Sequence, residues 1–342
     1  MNKLEWVNIM KKGLRLKQKK KGRLKCLFYL FIIYLGYQMI VNYFNNIKLV
    51  TNNEDFIKAL ITNSDYHLYY EKSSKNLINI LTKIFTNFDL NNPITILEKN
   101  IVFNNKNKKT ISSSDGDVSI NELEKVSMYI NDPYPNKVDN PRVYIYNSHQ
   151  LENYNNKNLE MYNITPNVMM ASYLLKEKLN KINIPTIVEE ANIIEFMKIN
   201  NWVHKDSYKA SRFYIIETME KYNNLDLIID LHRDDLTKKD ATTTINNKKY
   251  AKVLFVVGLK NPKYEANLNL AKKIDNLIQK KYPTLSRGIL TKKGVGVDGI
   301  YNQDLSSKMI LLELGGQHST IDEVLNTIEV MSHIIKEIIG DN

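Results

Sequence analysis

From residue 142 onward the chain alternates short, near-continuous apolar runs with longer stretches of helical spacing, and this alternation constrains the fold more than anything else in the sequence. The β-type runs are 142–146 (RVYIY), 184–188, 225–231 (LDLIIDL), 252–257 (KVLFVV) and 309–314 (MILLEL). Helical spacing covers 167–181, 205–222, 261–281 and 321–339. Strands that alternate with helices of this length build an α/β domain with a mostly parallel sheet and helices on both faces. The absence of polar alternation inside the strands agrees, because a sheet covered on both faces has no wet side. At 342 residues the chain holds one large domain or two, and no internal repeat is visible.

In an open sheet of this kind, sites form outside the carboxyl ends of the strands. The first run is followed by Asn147-Ser148-His149-Gln150-Leu151-Glu152. The third runs into Asp230-Leu231-His232-Arg233-Asp234-Asp235. The last carries Glu313 near its end, before Gly315-Gly316. His149 and Glu152 are three apart, so one turn can present both to a single ion. Two imidazoles and a carboxylate that leave a fourth position open are a catalytic zinc set. Such a metal activates water and polarises a carbonyl. A carboxylate outside the ligand set is then needed to take the water's proton, and Glu313 is the natural candidate because it comes from another strand. Asp230 or Asp234 could hold His232 in the correct tautomer.

Each of these residues also has an ordinary reading. A lone His-x-x-Glu is usually a surface turn, and a lone His after a strand is usually a hydrogen-bonded structural histidine. Their shared placement at strand ends favours the metal. Among the other histidines, His318 follows the Glu313 strand and is the substitute ligand, while His67, His204 and His333 join no pattern. Glu189 and Glu190 also end a strand and compete with Glu152 for the carboxylate position. Arg233, Arg212, Asn302 and Gln303 are polar residues that could hold substrate, with salt-bridge or surface duty as their everyday role. No G-x-S-x-G elbow and no Walker or dinucleotide glycine fingerprint appears; Gly294, Gly296 and Gly299 lie in a Lys-rich loop. A paired-carboxylate glycosidase is compatible with the composition but leaves two strand-end histidines unexplained.

The formal net charge of +11 suggests nucleic acid until it is located. Residues 1–25 hold ten Lys or Arg and one acid, Glu5, leaving only +2 for the rest of the chain. No folded domain then has a basic face of its own, which argues against a nucleic-acid partner. The basic tail (1–25) is followed by an uncharged stretch, 26–47, whose length suits a membrane-spanning helix. The positive-inside rule then puts the tail in the cytoplasm and the remainder outside, as a single-pass protein of the cell membrane. A cleaved signal peptide fits less well, since residues 42–46 (NYFNN) offer no small-residue cleavage site. The lone cysteine, Cys26, lies at the cytoplasmic edge of this span, so the exported part has neither disulfide nor thiolate catalyst. Residues 48–135 are mixed, with short helices expected at 56–60 and 77–85 and a polar loop at 106–117. They read as a membrane-proximal spacer or docking region. Three prolines in 131–141 mark a linker, and 136–342 is the expected catalytic domain.

At these residues the sequence resembles the stage II sporulation protein P family, over about 140–340. The resemblance is carried by the strand and His-x-x-Glu segment at 143–154, IDLHRD at 229–234 and NNKKYAKVLFVVG at 246–258. NPKYEANLNLA at 261–271, YPTLSRGI at 282–289, YNQDL at 301–305 and LLELGG at 311–316 follow in order. It implies a membrane-anchored zinc amidase similar in plan to N-acetylmuramoyl-L-alanine amidases. The substrate would be peptidoglycan, cut between the muramyl lactyl group and the stem peptide, with peptide cross-links as a further target. His149 and His232 then match the zinc histidines, Glu152 the acidic residue of the first motif, and Glu313 the catalytic glutamate. The partners implied are stage II sporulation proteins D and M, during engulfment. Two positions depart from the family pattern. Asn147 stands where the first His of His-Thr-His is usual, which costs a hydrogen bond near the metal. Asp235 replaces an Ala and adds a negative charge beside it. A zinc carboxypeptidase-like enzyme and a catalytically inactive wall-binding scaffold are the alternatives.

Overall fold

The computed structural model describes residues 25–39, 52–61, 119–156, 159 and 163–340. Residues 25–39 form helix α1, with its apolar side chains exposed. It belongs to a unit of its own, separate from the one built by 51–342. Among the described residues no helix is long and apolar enough to cross a membrane. The rest of the expected span, 40–47, and residues 1–24 of the basic tail lie outside the described residues, as do the expected helix at 77–85, the expected loop at 106–117 and His67. The expected helix at 56–60 is present as α2, residues 53–61, and buries Phe56, Ile57, Leu60 and Ile61.

The larger unit is built on a six-stranded sheet in the order β2-β1-β3-β8-β6-β7. Its strands are β1 (Val143–Tyr146), β2 (Thr186–Val188), β3 (Leu227–Asp234), β6 (Val253–Gly258), β7 (Ser286–Lys292) and β8 (Met309–Gly316). β2, β1, β3 and β8 are mutually parallel. β6 pairs antiparallel with β8 and parallel with β7. The reversal has a simple cause. A parallel return needs a crossover long enough to span the sheet. Between β3 and β6 the chain has only the four-residue helix α7 (Lys238–Ala241) and the hairpin β4 (Thr242–Ile245) and β5 (Lys248–Ala251). It therefore re-enters the sheet at the edge it left. Asn246 and Asn247 turn that hairpin, both at positive φ (49° and 62°), as a two-residue loop requires. The purely apolar criterion passes over this Thr-rich hairpin. It also passes over β7, an edge strand whose residues are mostly half-exposed.

Helices α4 (Val168–Lys181), α8 (Tyr264–Lys281) and α9 (Ile321–Ile339) pack together on one face of the sheet. α6 (Ser207–Lys221) covers the other, where Tyr144, Tyr146, Ile187, Ile215, Ile228 and Met309 form a buried cluster. α4 starts where Asn167 accepts the N–H of Met170, and α9 where Thr320 and Glu323 cap one another reciprocally. Burying each large aliphatic side chain of the strands contributes about 1.5–3 kcal/mol, which offsets the entropy lost by ordering them.

The segment between 119 and 141 is tied to this unit at several points. Helix α3 (Ile120–Leu123) packs Ile120 and Leu123 against Leu151 and against Ile193, Ile194 and Met197 of helix α5 (Ile193–Ile199). The Tyr129 hydroxyl donates to the Glu190 carbonyl, and Asn136 to the Val188 carbonyl. Lys176 on α4 is buried and meets Asp132 and the Tyr134 carbonyl. The proline-rich stretch 131–141 is without helix or strand, as its composition dictates, and is held against the sheet edge.

Candidate metal centre

The first turn of the site follows β1. The Glu152 N–H donates to the His149 carbonyl, closing the turn that brings the two side chains to one side. Ser148 fixes that turn to β3: its N–H (3.0 Å) and its hydroxyl (2.6 Å) both donate to the Asp230 carboxylate. Gln150 braces it from the other direction, donating to the Ala191 carbonyl and accepting the Ile193 N–H. Asn147 donates to the Leu231 carbonyl and accepts from the Ser172 hydroxyl. The departure at 147 therefore leaves no gap, since the amide bridges β3 and α4.

β3 supplies the second part. Side chains two apart on a strand share a face, so Ile228, Asp230 and His232 point together toward α6, while Arg233 points away. His149, Glu152 and His232 meet, and one ligand atom of each lies within 4.8 Å of the others, with all three residues buried. His149 Nδ1 is 3.1 Å from Glu152 Oε1, and His232 Nδ1 is 3.4 Å from the same oxygen. The other carboxylate oxygen accepts the Arg233 N–H at 2.9 Å, which sets the plane of the group. His232 Nε2 lies 2.9 Å from Asp230 Oδ1 without hydrogen-bond geometry. The parallel register places Glu313 of β8 directly beside His232. Its Oε2 is buried with no partner. Just beyond, Gly315 has φ +74°, and a Cβ there would meet Ser319 Oγ at 2.7 Å and Ala251 Cβ at 3.0 Å, so the strand end needs glycine.

The electrostatics follow from burial and charge. Burial pushes the Glu152 carboxyl up, but His232 and His149 more than offset it and hold it well below the usual carboxylate range. Burial pushes His232 down, yet Asp230 and Glu152 carry it well above the usual imidazole value. Glu313 is pushed up to about 8, chiefly by burial, with the charge on Glu152 adding to it against the opposing pull of His232. Three nitrogen and oxygen donors of this type, buried and convergent, fit a zinc ion, and a divalent cation would replace the proton shared among them.

The remaining expected site residues do not join the ligand group. Glu189 accepts from the Tyr144 hydroxyl and Glu190 from the Asn136 N–H, so neither joins the ligand group, and His318 is exposed. Asp234 pairs with Arg287. Arg233 is buried and donates through Nε to the Asn153 carbonyl. Arg212 makes a two-pronged pair with Asp304. Asn302 donates to the Tyr208 carbonyl and Ser211, and Gln303 spans the Val256 carbonyl and Gly258 N–H. Their polar groups hold the scaffold together. Asp235 is exposed and accepts from Gln317, so its extra charge sits at the surface.

Two residues where the chain enters α6 are part of the centre although no spacing at strand ends pointed to them. His204 is buried, with its ring 4.3 Å from that of His149. Tyr208, one helical turn on, lies 5.2 Å from the His149 ring and 6.2 Å from that of His232, nearly parallel to it. The i, i+4 spacing of His204 and Tyr208 was the legible sign. Burial, followed by the neighbouring His149, lowers His204 to about 3.

A model of the stage II sporulation protein P family matches residues 48–336. The chain belongs to that family. A relative of the same description from Bacillus subtilis (strain 168) is 32% identical over 210 residues, 59% of this chain and 52% of the relative. The match thus spans about half the length of that relative. Among solved structures, Cwp6 from Clostridium difficile aligns over 59% of this chain and 30% of its own, at 14% identity and a TM-score of 0.36. The CwlD amidase from Clostridioides difficile, solved with the GerS lipoprotein, aligns over 58% and 94%, at 12% identity and a TM-score of 0.34. At those scores the likeness decides neither fold nor activity.

Proposed function

We propose that this protein is a zinc-dependent peptidoglycan hydrolase that cleaves the amide between N-acetylmuramic acid and the stem peptide, and also peptide cross-links, in septal wall degradation during engulfment. The observation that carries the reading is the buried His149–Glu152–His232 group with Glu313 in register beside it, in a chain of this family. His149, Glu152 and His232 would hold the metal, and zinc bound there supplies Lewis acidity toward a water and a carbonyl oxygen. Glu313 Oε2 takes the proton of the attacking water and delivers it to the departing amine nitrogen, so that amide and water become acid and amine. A carboxyl so placed, outside the ligand group and raised by burial in the metal-free protein, can exchange a proton in both directions. Asp230 orients His232 and, through Ser148, the turn that carries His149 and Glu152.

The charge contrast between the basic tail and the uncharged stretch 26–47 supports a single-pass anchor, with the tail cytoplasmic and the domain outside. Family membership supports stage II sporulation proteins D and M as partners.

The test is the full chain on purified peptidoglycan, chelated and then resupplied with zinc, with mass spectrometry of what is released. Zinc-dependent release of intact stem peptides bearing a free alanine amine is expected, and His232→Ala should abolish both zinc binding and release. Loss of single terminal residues would instead mark a carboxypeptidase. Wall binding with no new amine, despite bound zinc, would mark an inactive scaffold.

A further inference from the structure

His204 is the one buried histidine of the centre that the proposed chemistry leaves without a task. It comes from a short 3-10 turn, His204–Asp206, held by the Val203 N–H donating to Asp206 Oδ2 at 3.0 Å. That turn leads directly into α6, the helix covering the face on which His232 and Glu313 lie. The ring lies against His149, 4.3 Å between centroids with a 33° tilt. The charged and titratable groups acting on it are His149, Glu152, His232 and Arg233, and every one of them belongs to the centre or abuts it.

The decisive feature is Nδ1. It is buried without a hydrogen-bond partner, in a residue 5% exposed. Burying a ring nitrogen unpaired is unfavourable, and an imidazole that only packed against His149 could be replaced by a phenyl ring with no such cost. Tyr208 already supplies aromatic packing to both metal-ligand histidines from the next turn. An unpaired polar atom beside convergent ligand side chains is instead what a site needs for a group that arrives with the substrate.

We propose that His204 is a substrate-holding residue, whose Nδ1–H donates to the carbonyl oxygen of the scissile amide as that oxygen gains charge. This rests on the hydrolase reading for the identity of the amide, but the contact itself can be tested without turnover. The ring contact with His149 holds the imidazole against the ligand group, and His204 with Tyr208 makes the segment entering α6 the third wall of the site.

The experiment compares the full chain with His204→Phe, which keeps the ring contact and removes the nitrogen, and His204→Asn, whose amide nitrogen can stand close to where Nδ1 stood. Three quantities are read: zinc affinity by competition with a chromophoric chelator, thermal midpoint without metal, and the dissociation constant of acetohydroxamate on the zinc-loaded protein. Acetohydroxamate presents an anionic carbonyl-type oxygen at the metal and does not depend on which amide is the natural substrate. Zinc affinity should be preserved in both variants, with acetohydroxamate binding weakened roughly tenfold or more in His204→Phe and largely restored in His204→Asn. Peptidoglycan turnover should follow the same order. Unchanged acetohydroxamate binding in His204→Phe, or no recovery in His204→Asn, would overturn the proposal. So would loss of zinc in His204→Phe, which would make the residue a support for the ligands. If the unaltered protein binds zinc and acetohydroxamate but releases nothing from peptidoglycan, the hydrolase reading fails while the His204 contact is still decided. If it binds no zinc, both fall.

Discussion

Asp230→Asn isolates the part of the centre that no metal touches. The Asp230 carboxylate is 1% exposed, accepts two hydrogen bonds from Ser148, and faces His232 Nε2 at 2.9 Å. Each hydrogen bond to a buried charge contributes about 1.5–3 kcal/mol. An amide of the same shape keeps one acceptor oxygen, so about one charge-assisted bond is lost, together with the attraction for His232. We expect a loss of roughly 3 kcal/mol in the metal-free protein, read by urea unfolding. The second consequence concerns the metal. A metal-ligating imidazole is held by the group that faces its other ring nitrogen, here the Asp230 carboxylate, and removing a partner in that position lowers metal affinity about 10–100-fold. An opposing effect must be separated out: Asp230 also raises the proton affinity of His232, and losing that relieves competition from the proton. Zinc affinity should therefore be compared on the plateau of its pH dependence, where competition has ended in both proteins. A double cycle with Ser148→Ala separates the turn from the ring, because Ser148 contacts Asp230 but not His232 through any hydrogen bond. Plateau affinity in Asp230→Asn within about twofold of the unaltered protein would refute the orienting role.

Glu313→Gln should keep zinc and lose turnover by about 10²–10⁴-fold, since it removes a proton carrier and not a ligand; loss of zinc in that variant would make Glu313 a ligand instead. In the metal-free protein, the His232 contribution to stability is fully present below about 6.5 and is lost as pH rises through its raised value, while zinc affinity should climb over that same interval; both are checked by unfolding and chelator titrations across pH, and parallel trends would contradict the shared site. Lys176→Met strands the buried Asp132 and should cost about 3–5 kcal/mol in chemical denaturation, with Asp132→Leu added recovering most of it.

The tie between Lys176 and Asp132 bears on where the chain can be cut. A fragment beginning at 136 would discard Ile120, Leu123, Tyr129 and Asp132, all of which pack or hydrogen-bond against the sheet domain. The sequence places a boundary near 135 because prolines interrupt the pattern there, and interruption of a pattern says nothing about what the interrupted segment touches.

What the sequence determined by itself was whatever is local. Apolar runs fixed the strands β1, β3, β6 and β8, helical spacing fixed α4, α8 and α9, and the strand ends fixed where His149, Glu152, His232 and Glu313 would stand. These follow from side-chain period and from where an open sheet exposes its loops. Everything that depends on which segments become neighbours came from the assembled fold. The reversal of β6 and β7 depends on the path of the chain after Asp234. The choice of Glu152 over Glu189, Glu190 and His318 depends on which carboxylate faces His232 across the turn. The partners of Arg212, Arg233, Asn302 and Gln303, namely Asp304, Asn153, Tyr208 and Val256, come from distant positions and could not be read from the chain. His204 entered the centre for the same reason, since helical packing against a sheet face brings together residues that no spacing along the chain connects.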